Sequence, residues 1–561
     1  MTKDRSFPLR TSGAGLLIAA AGWQGMELPL DHATLVGGGA AGAGALMTAG
    51  AVAWWAQGRG STGATISRWS RRRQRTDGTA TWLDHYRRTS AVAMHRRVTH
   101  LRPSLADVSL VGRLRLPMTA VAVPLGRAGA RRLYASMEDN VLRVAGPRSG
   151  KTTAMAARIV DAPGGCVVTS TRVDLLRTLP IRAGQGPCHV YDPAGISGHG
   201  STIKWSPLAG CRRPNIAQQR GYDMIPESGS AEGERWDSQA RRVLGVLMHA
   251  AALADRPMRT VMRWMSADGA ALQQVAAEVD QALTRSPMAD MMRLTARQYF
   301  ATVDRTRTSI VTTAMPALAW LNDPRASTVG DCDVSESMDL ADLIDRSGTL
   351  YILGRNDGTT GPLTGALVAE LIRLAEVTAE QRGGRLDPPL TLVLDEAPKV
   401  APGPLHQWSA DCGGRGILLD VAAQSLAALE ATWGAAPARM IQSNANVILV
   451  GAGCKDPGDL AHWEKLSGTR NETVETHDPD GKLMSRTTRP VPVISAEQIA
   501  NLEKGQAIVY GAGPVTIVRT PNTWNRRDVR RALRRAVDLP KQTNYEDTMT
   551  DDEREMEGAK P

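Results

Sequence analysis

The stretch Leu142-Arg-Val-Ala-Gly-Pro-Arg-Ser-Gly-Lys-Thr-Thr-Ala154 constrains this chain more than any other. An apolar run ending at Val144 predicts a buried strand, Ala145 to Gly150 a turn, and the Ala-rich run from Thr152 to Val160 a helix. A strand, a glycine-bearing turn and a helix in that order aim successive backbone N–H groups at one point beside a helix N-terminus, which selects phosphate. Ala145, Gly146, Pro147, Arg148, Ser149, Gly150, Lys151, Thr152 and Thr153 would form the cradle. Gly150 lets the backbone come close, Lys151 reaches the terminal phosphates as a point charge, and the Thr152 hydroxyl ligates a magnesium ion. The expected ligands are therefore ATP and Mg²⁺.

At 561 residues the chain is too long for one ordinary core and predicts two to four units. Its net charge of +10 is compatible with a phosphate-backbone partner or an anionic membrane surface. Only 10 of the 67 basic residues are Lys, an Arg bias that travels with the high Ala and Gly content and weakens any inference from charge alone. Six cysteines without a C-x-x-C pairing suggest neither a zinc site nor a disulfide framework.

Two apolar blocks lie near the beginning, Gly13 to Trp23 and Ala33 to Ala56, the second without a charged residue in 24 positions. The second is long enough to cross a bilayer. Lys3, Arg5 and Arg10 before the first block, and Arg59 and the Arg68–Arg75 cluster after the second, put both ends in the cytoplasm. The expectation is a membrane anchor over 1–60, favoured as a two-helix hairpin with a single span as the alternative, in the cell membrane with the bulk of the chain cytoplasmic. A basic linker follows over 61–103.

From 104 to 210 apolar runs alternate with helical stretches, with strands at Gly165–Thr169 and Cys188–Pro193, which predicts a parallel sheet with helices on both faces. Over 211–298 the period changes to i, i+3, i+4, as in Trp236, Ala240, Val243, Leu244, Leu247 and Met248, and predicts an all-helical insertion. The sheet pattern returns over 299–522, at Thr349–Gly354 and at Leu390-Thr-Leu-Val-Leu-Asp-Glu396. The latter ends an apolar strand on two carboxylates. Asp395 is suited to hold the metal, and Glu396 to orient and deprotonate an attacking water. Ile417 to Gln424 is a further strand ending in an amide, suited to sensing the γ-phosphate or to nothing more than a strand end. Gly413-Gly-Arg-Gly416 exposes Arg415 on a turn.

This constellation resembles the TraG/TraD-like type IV coupling proteins, conjugative DNA-transfer ATPases of the FtsK/HerA class. The resemblance rests on Gly146–Thr152, Asp192-Pro193 with Trp205-Ser-Pro-Leu208, Asp395-Glu396, Gly414-Arg-Gly416, Gln424-Ser425, Asn444–Gly451, Asp456-Pro457, Ile494–Leu502 and Gly505–Tyr510. It implies a RecA-like P-loop domain with a mostly parallel sheet, interrupted by an all-helical domain and assembled as a homo-hexamer on a membrane stem. By the same likeness Arg415 takes the place of an arginine finger acting on the neighbouring subunit, and Gln424 that of the motif glutamine. Implied partners are DNA, a relaxase, type IV secretion channel components and the bacterial inner membrane. The chain departs from the family at Val167–Arg172, which lacks Asp-x-Lys-Gly-Glu, and at Ser206, where relatives carry Asn.

Residues 471–490 are polar, with a turn signal at Asp478-Pro-Asp-Gly481, and read as a hairpin or a loop. Arginines 526, 527, 530, 531, 534 and 535 recur at helical spacing, a DNA- or lipid-contacting helix or a solvated face. Together with an acidic tail they form the last segment, 523–561, and composition predicts disorder for that tail. Two rivals to a DNA motor stand at this stage: a secretion ATPase that recruits proteins without moving DNA, and a scaffold that binds nucleotide only to assemble.

Overall fold

The computed structural model describes residues 78–537, apart from 199, 227–230, 356 and 478–482. The expected membrane anchor, the first part of the linker and the acidic tail lie outside the described residues. Among the described residues no helix is long and apolar enough to cross a membrane. The chain divides into two units, Ala80–Gly468 with Ile494 onward, and a smaller one that includes Thr469–Val493.

The larger unit is built on an eleven-stranded sheet. Its strands are β1 (Ala122–Ala128), β2 (Arg131–Ser136), β3 (Val141–Val144), β4 (Cys166–Ser170), β5 (Cys188–Tyr191), β6 (Thr349–Leu353), β7 (Leu390–Leu394), β8 (Ile417–Ala423), β9 (Val447–Gly451), β12 (Gln506–Tyr510) and β13 (Thr516–Arg519). Two further strands, β10 (Thr469–His477) and β11 (Leu483–Pro492), belong to the smaller unit. The spatial order in the sheet is β2-β1-β13-β12-β9-β3-β8-β7-β4-β6-β5. From β9 to β5 every neighbouring pair is parallel, while β12, β13, β1 and β2 extend the β9 side antiparallel. β3, β4, β6, β7, β8 and β9 are buried at every position, as strands covered on both faces must be.

Helix α1 (Lys151–Val160) follows β3 and buries Met155, Ala156 and Ile159 in the core beside Val168, Val393 and Ala422. After β5 come helices α2 (Pro214–Met224), α3 (Ala231–Leu253), α4 (Met258–Met265), α5 (Gly269–Leu283) and α6 (Ala289–Phe300). The periodic positions Ala240, Val243, Leu244, Leu247 and Met248 of α3 are all buried, so the repeat in the sequence marks the face the helix packs. The helices continue past residue 298 as α7 (Asp304–Leu318) and α8 (Pro324–Gly330) before the sheet resumes at Thr349. Helix α9 (Gly361–Gln381) returns toward β7, and α10 (Arg527–Val537) closes the described chain.

One ion pair is buried inside the sheet layer. Arg143 of β3 donates to both oxygens of Asp420 on β8, at 2.5 and 2.7 Å, and the Arg158 guanidinium of α1 is buried within reach of the same charge. Two guanidiniums therefore depend on one carboxylate. Asp420→Ala is expected to cost about 3–5 kcal/mol, because it strands buried positive charge. Urea unfolding of the full chain checks it; an unchanged midpoint would refute the dependence.

In the smaller unit β10 and β11 pair antiparallel from Thr469↔Pro492 to His477↔Leu483. The 471–490 segment is thus a hairpin, and cross-strand Arg486–Glu475 and Arg489–Glu472 pairs support its exposed faces.

Candidate nucleotide site

Parallel strands place their C-terminal ends on one edge, and that edge collects the residues the sequence singled out. β3 leads into Ala145–Gly150 and α1, β7 ends at Asp395-Glu396, and β8 ends at Gln424. The loop is fixed from below by Ala145 N–H donating to the Ala423 carbonyl and Gly146 N–H to the Ala452 carbonyl. Gly453 packs so closely that a Cβ on Gly146 would lie 2.4 Å from its carbonyl oxygen, which is why position 146 is glycine. Gly505 N–H donates to the Ser149 carbonyl from the other side. Arg148 takes a left-handed φ of 61° and Gly150 one of 97°, turning the loop over the start of α1.

Among the described residues, the N–H groups of Arg148, Ser149, Gly150, Lys151, Thr152 and Thr153 donate to no protein acceptor. The first turn of a helix leaves such donors free by construction, and here the preceding turn adds more. Together they form an anion site of the kind a polyphosphate fills.

Lys151 lies against the carboxylates. Its Nζ is 3.1 Å from Glu396 Oε1 and 4.0 Å from Asp395 Oδ1. Gln424 Nε2 donates to both oxygens of Glu396, at 3.2 and 3.3 Å. Glu396 is thus bracketed by an ammonium and an amide, on a backbone held at φ 51°, ψ 45°. Strain of this kind persists at functional sites where the surroundings over-determine the conformation. Asp395 is anchored through its own N–H to the Thr169 carbonyl, while the Thr169 hydroxyl donates to the Asp395 carbonyl.

The Asp395 carboxyl is pushed up to about 6. Burial is the main cause and the Glu396 charge adds to it, against the lowering effects of Lys151, the Glu396 N–H and Arg172. A raised carboxyl favours the protonated folded state, so its stabilising contribution is present below the ordinary carboxylate range and is lost as pH rises through about 6. Asp395 Oδ1 is buried with no hydrogen-bond partner. A buried, unsatisfied oxygen facing a lysine and the start of α1 fits a divalent cation shared with the Thr152 hydroxyl.

Arg415 is elsewhere. It sits in the turn two residues before β8 and Gln424 follows β8 directly, so the seven-residue strand, at roughly 3.3 Å per residue, sets the two about 20–25 Å apart. There it pairs with Glu380 at 2.7 Å and Asp411 at 2.5 Å. Asp192 follows β5, the strand at the end of the sheet five places from β3, and Trp205 lies further along the same connection. Asp192 accepts from the N–H groups of Ile196 and Ser197 and shapes the loop after β5, and Trp205 is buried under the Arg220 guanidinium. Sequence reasoning did not find Gly453, whose close approach seats Gly146. It also did not find Thr523, whose hydroxyl donates to the Thr153 carbonyl of α1 at 2.6 Å. The only trace of the former in the sequence is the Gly451-Ala-Gly453 spacing after an apolar strand.

A parallel sheet with a phosphate loop, a buried aspartate, a bracketed glutamate and a strand-end glutamine on one edge defines a RecA-like P-loop fold. Within that class the likeness is to conjugative coupling proteins. Residues 389–504 match the family described as the TraM recognition site of TraD and TraG. Among solved structures, the bacterial conjugative coupling protein TrwBdeltaN70 in its unbound form superposes with a TM-score of 0.55 at 17% identity, covering 72% of this chain and 91% of that one. Plasmid coupling protein TrwB in complex with ADP and Mg²⁺ gives 0.53 at 18% identity, over 78% of this chain and 93% of that one. Its complex with the GTP analogue GDPNP gives 0.52 at 18%, over 77% and 92%. At these identities the structural likeness establishes the fold. No curated protein matches the sequence.

Proposed function

We propose that the chain is a coupling ATPase of the TraG/TraD kind. It is anchored in the bacterial inner membrane through its first 60 residues and assembles as a homo-hexamer. It uses ATP hydrolysis to pass DNA, free or attached to protein, into a type IV secretion channel. The observation that carries this reading is the gathering of Lys151, Asp395, Glu396 and Gln424 at one edge while Arg415 sits at the other end of β8. In this reading the Arg415 charge, remote from its own site, serves the neighbour's across a heterologous, ring-closing interface.

In this reading the free N–H groups of Arg148 to Thr153 and the Lys151 ammonium hold the triphosphate. Thr152 and Asp395 hold Mg²⁺, which when bound neutralises charge on the phosphate oxygens. Glu396 positions a water and accepts its proton, Gln424 keeps the carboxylate oriented, and Arg415 of one subunit closes the site of the next. TrwB in complex with ADP and Mg²⁺ supports the choice of nucleotide and metal. The match over 389–504 supports a relaxosome partner, TraM-like together with a relaxase, docking on that segment.

The test is ATP turnover of the full chain in detergent, with and without single- or double-stranded DNA, at low salt. Stimulation by DNA that fades as salt rises is expected, since phosphate contacts are lost with counterion screening. Turnover indifferent to DNA would favour the protein-recruiting ATPase instead.

A further inference from the structure

Helix α10 is a basic surface tied directly to the phosphate-loop helix. At 100° per residue Arg527, Arg530, Arg531, Arg534 and Arg535 fall within one arc of about 140°, and all five are exposed. Val529, on the opposite side, is buried, and Leu533 beside it is half-buried. Arg530 is spent locally on the Trp524 carbonyl and Asn525. Among the described residues Arg527, Arg531, Arg534 and Arg535 have no ion-pair partner.

The segment leading into α10 grips both ends of α1. Thr523, fully buried, bonds the Thr153 carbonyl in the first turn. Arg526 pairs at 2.7 Å with Asp161, the residue that ends α1. Between them Trp524 packs on the core cluster containing Met155 and Ile159, with the Arg177 guanidinium 4.4 Å over its ring. A load on α10 is therefore delivered to the helix whose N-terminus is the phosphate site.

We propose that the Arg527–Arg535 face of α10 binds a nucleic-acid backbone, and that the Thr523–Arg526 clasp couples this contact to nucleotide affinity at the phosphate loop. This rests on the reading of the chain as a DNA-moving ATPase and adds where the polymer lies. Charge complementarity selects the occupant: unpaired arginines whose Cβ atoms stand about 5–6 Å apart on a helix face suit a run of phosphates, each taking a bidentate fork. A lipid surface is disfavoured because interfacial helices insert their apolar side, and in α10 that side is already committed to the protein core.

The experiment measures anisotropy of a labelled single-stranded oligonucleotide, and of a duplex, titrated with the full chain at rising salt. For the combined Arg527→Gln, Arg531→Gln, Arg534→Gln and Arg535→Gln variant, affinity at low salt should fall at least about tenfold, and the log–log salt slope should shrink by roughly 0.7 per lost contact for the single strand. Thr523→Val should bind the oligonucleotide normally yet lose the shift that the oligonucleotide causes in the affinity for a fluorescent ADP. An unchanged slope in the combined variant overturns the proposal. So does binding to anionic vesicles in place of oligonucleotide, or oligonucleotide binding by the Arg face that emerges only once the acidic residues 538–561 are removed, which would make the chain's own tail the occupant. Because binding is read without turnover, an inactive ATPase leaves this test standing. A wild-type chain that binds no oligonucleotide at all would instead strike the proposed function itself.

Discussion

Arg415→Ala is expected to lower ATP turnover by about three to five orders of magnitude, the range an arginine supplied in trans accounts for, while leaving affinity for ADP within a few-fold. Both halves follow from position. Arg415 stands before β8, at the far end from Lys151 and Asp395, and pairs with Glu380 and Asp411 in its own subunit. Removing it takes nothing from the cradle that holds the nucleotide. On the proposed ring assembly, what it removes is the positive charge that would meet the transition state in an adjacent copy, once Arg415 has left Glu380 and Asp411. Mixing sharpens the outcome. If the proposed ring forms, mixing Arg415→Ala with Glu396→Gln subunits leaves some sites with an intact glutamate and an intact neighbouring arginine, so turnover should partly return. Full turnover by the Arg415→Ala protein alone would mean the arginine serves only its local ion pairs.

Glu396→Gln should bind ATP and Mg²⁺ and hydrolyse roughly 10²- to 10⁴-fold more slowly, the loss typical of removing a general base. The geometry adds a directional expectation for binding. Lys151 rests 3.1 Å from the Glu396 carboxylate, so it must exchange that partner for phosphate when a triphosphate enters. An amide at 396 releases Lys151 in advance and removes one negative charge from the phosphate edge. Affinity should hold or tighten, read by equilibrium binding of a fluorescent ATP analogue beside a steady-state rate. Wild-type turnover with Gln at this position would assign the base elsewhere and leave Glu396 as a brace for Lys151.

Much of the site was legible because its parts are local. The run Ala145–Thr153 carries its conformation in its spacing, since one left-handed turn before a helix exposes its N–H groups wherever the chain is placed. Asp395 and Glu396 announce themselves as two carboxylates closing an apolar strand. The buried positions of α3 were readable because a 3.6-residue period survives in the sequence. The antiparallel edge of β12, β13, β1 and β2 was not readable, because strand order depends on how the chain returns, and a buried strand has the same pattern in either direction. The helices α7 and α8 continue the helical run beyond the point where its apolar period weakens, around the Thr- and Ser-rich stretch from Thr302 to Thr313.

The sequence by itself determined which groups stand at each strand end: a glycine-bearing turn before a helix, two adjacent carboxylates, an amide, and an arginine ahead of β8, each a property of a few consecutive residues. The tertiary structure alone decided which of these meet. It set Lys151 against Glu396 across 245 residues of chain, lodged Gly453 against Gly146, and clasped α1 with Thr523 and Arg526 from the far end. The reason is physical. Hydrogen bonds and steric contacts of this length act over a few ångströms, and only the packing of a whole sheet brings segments so remote in sequence within that range.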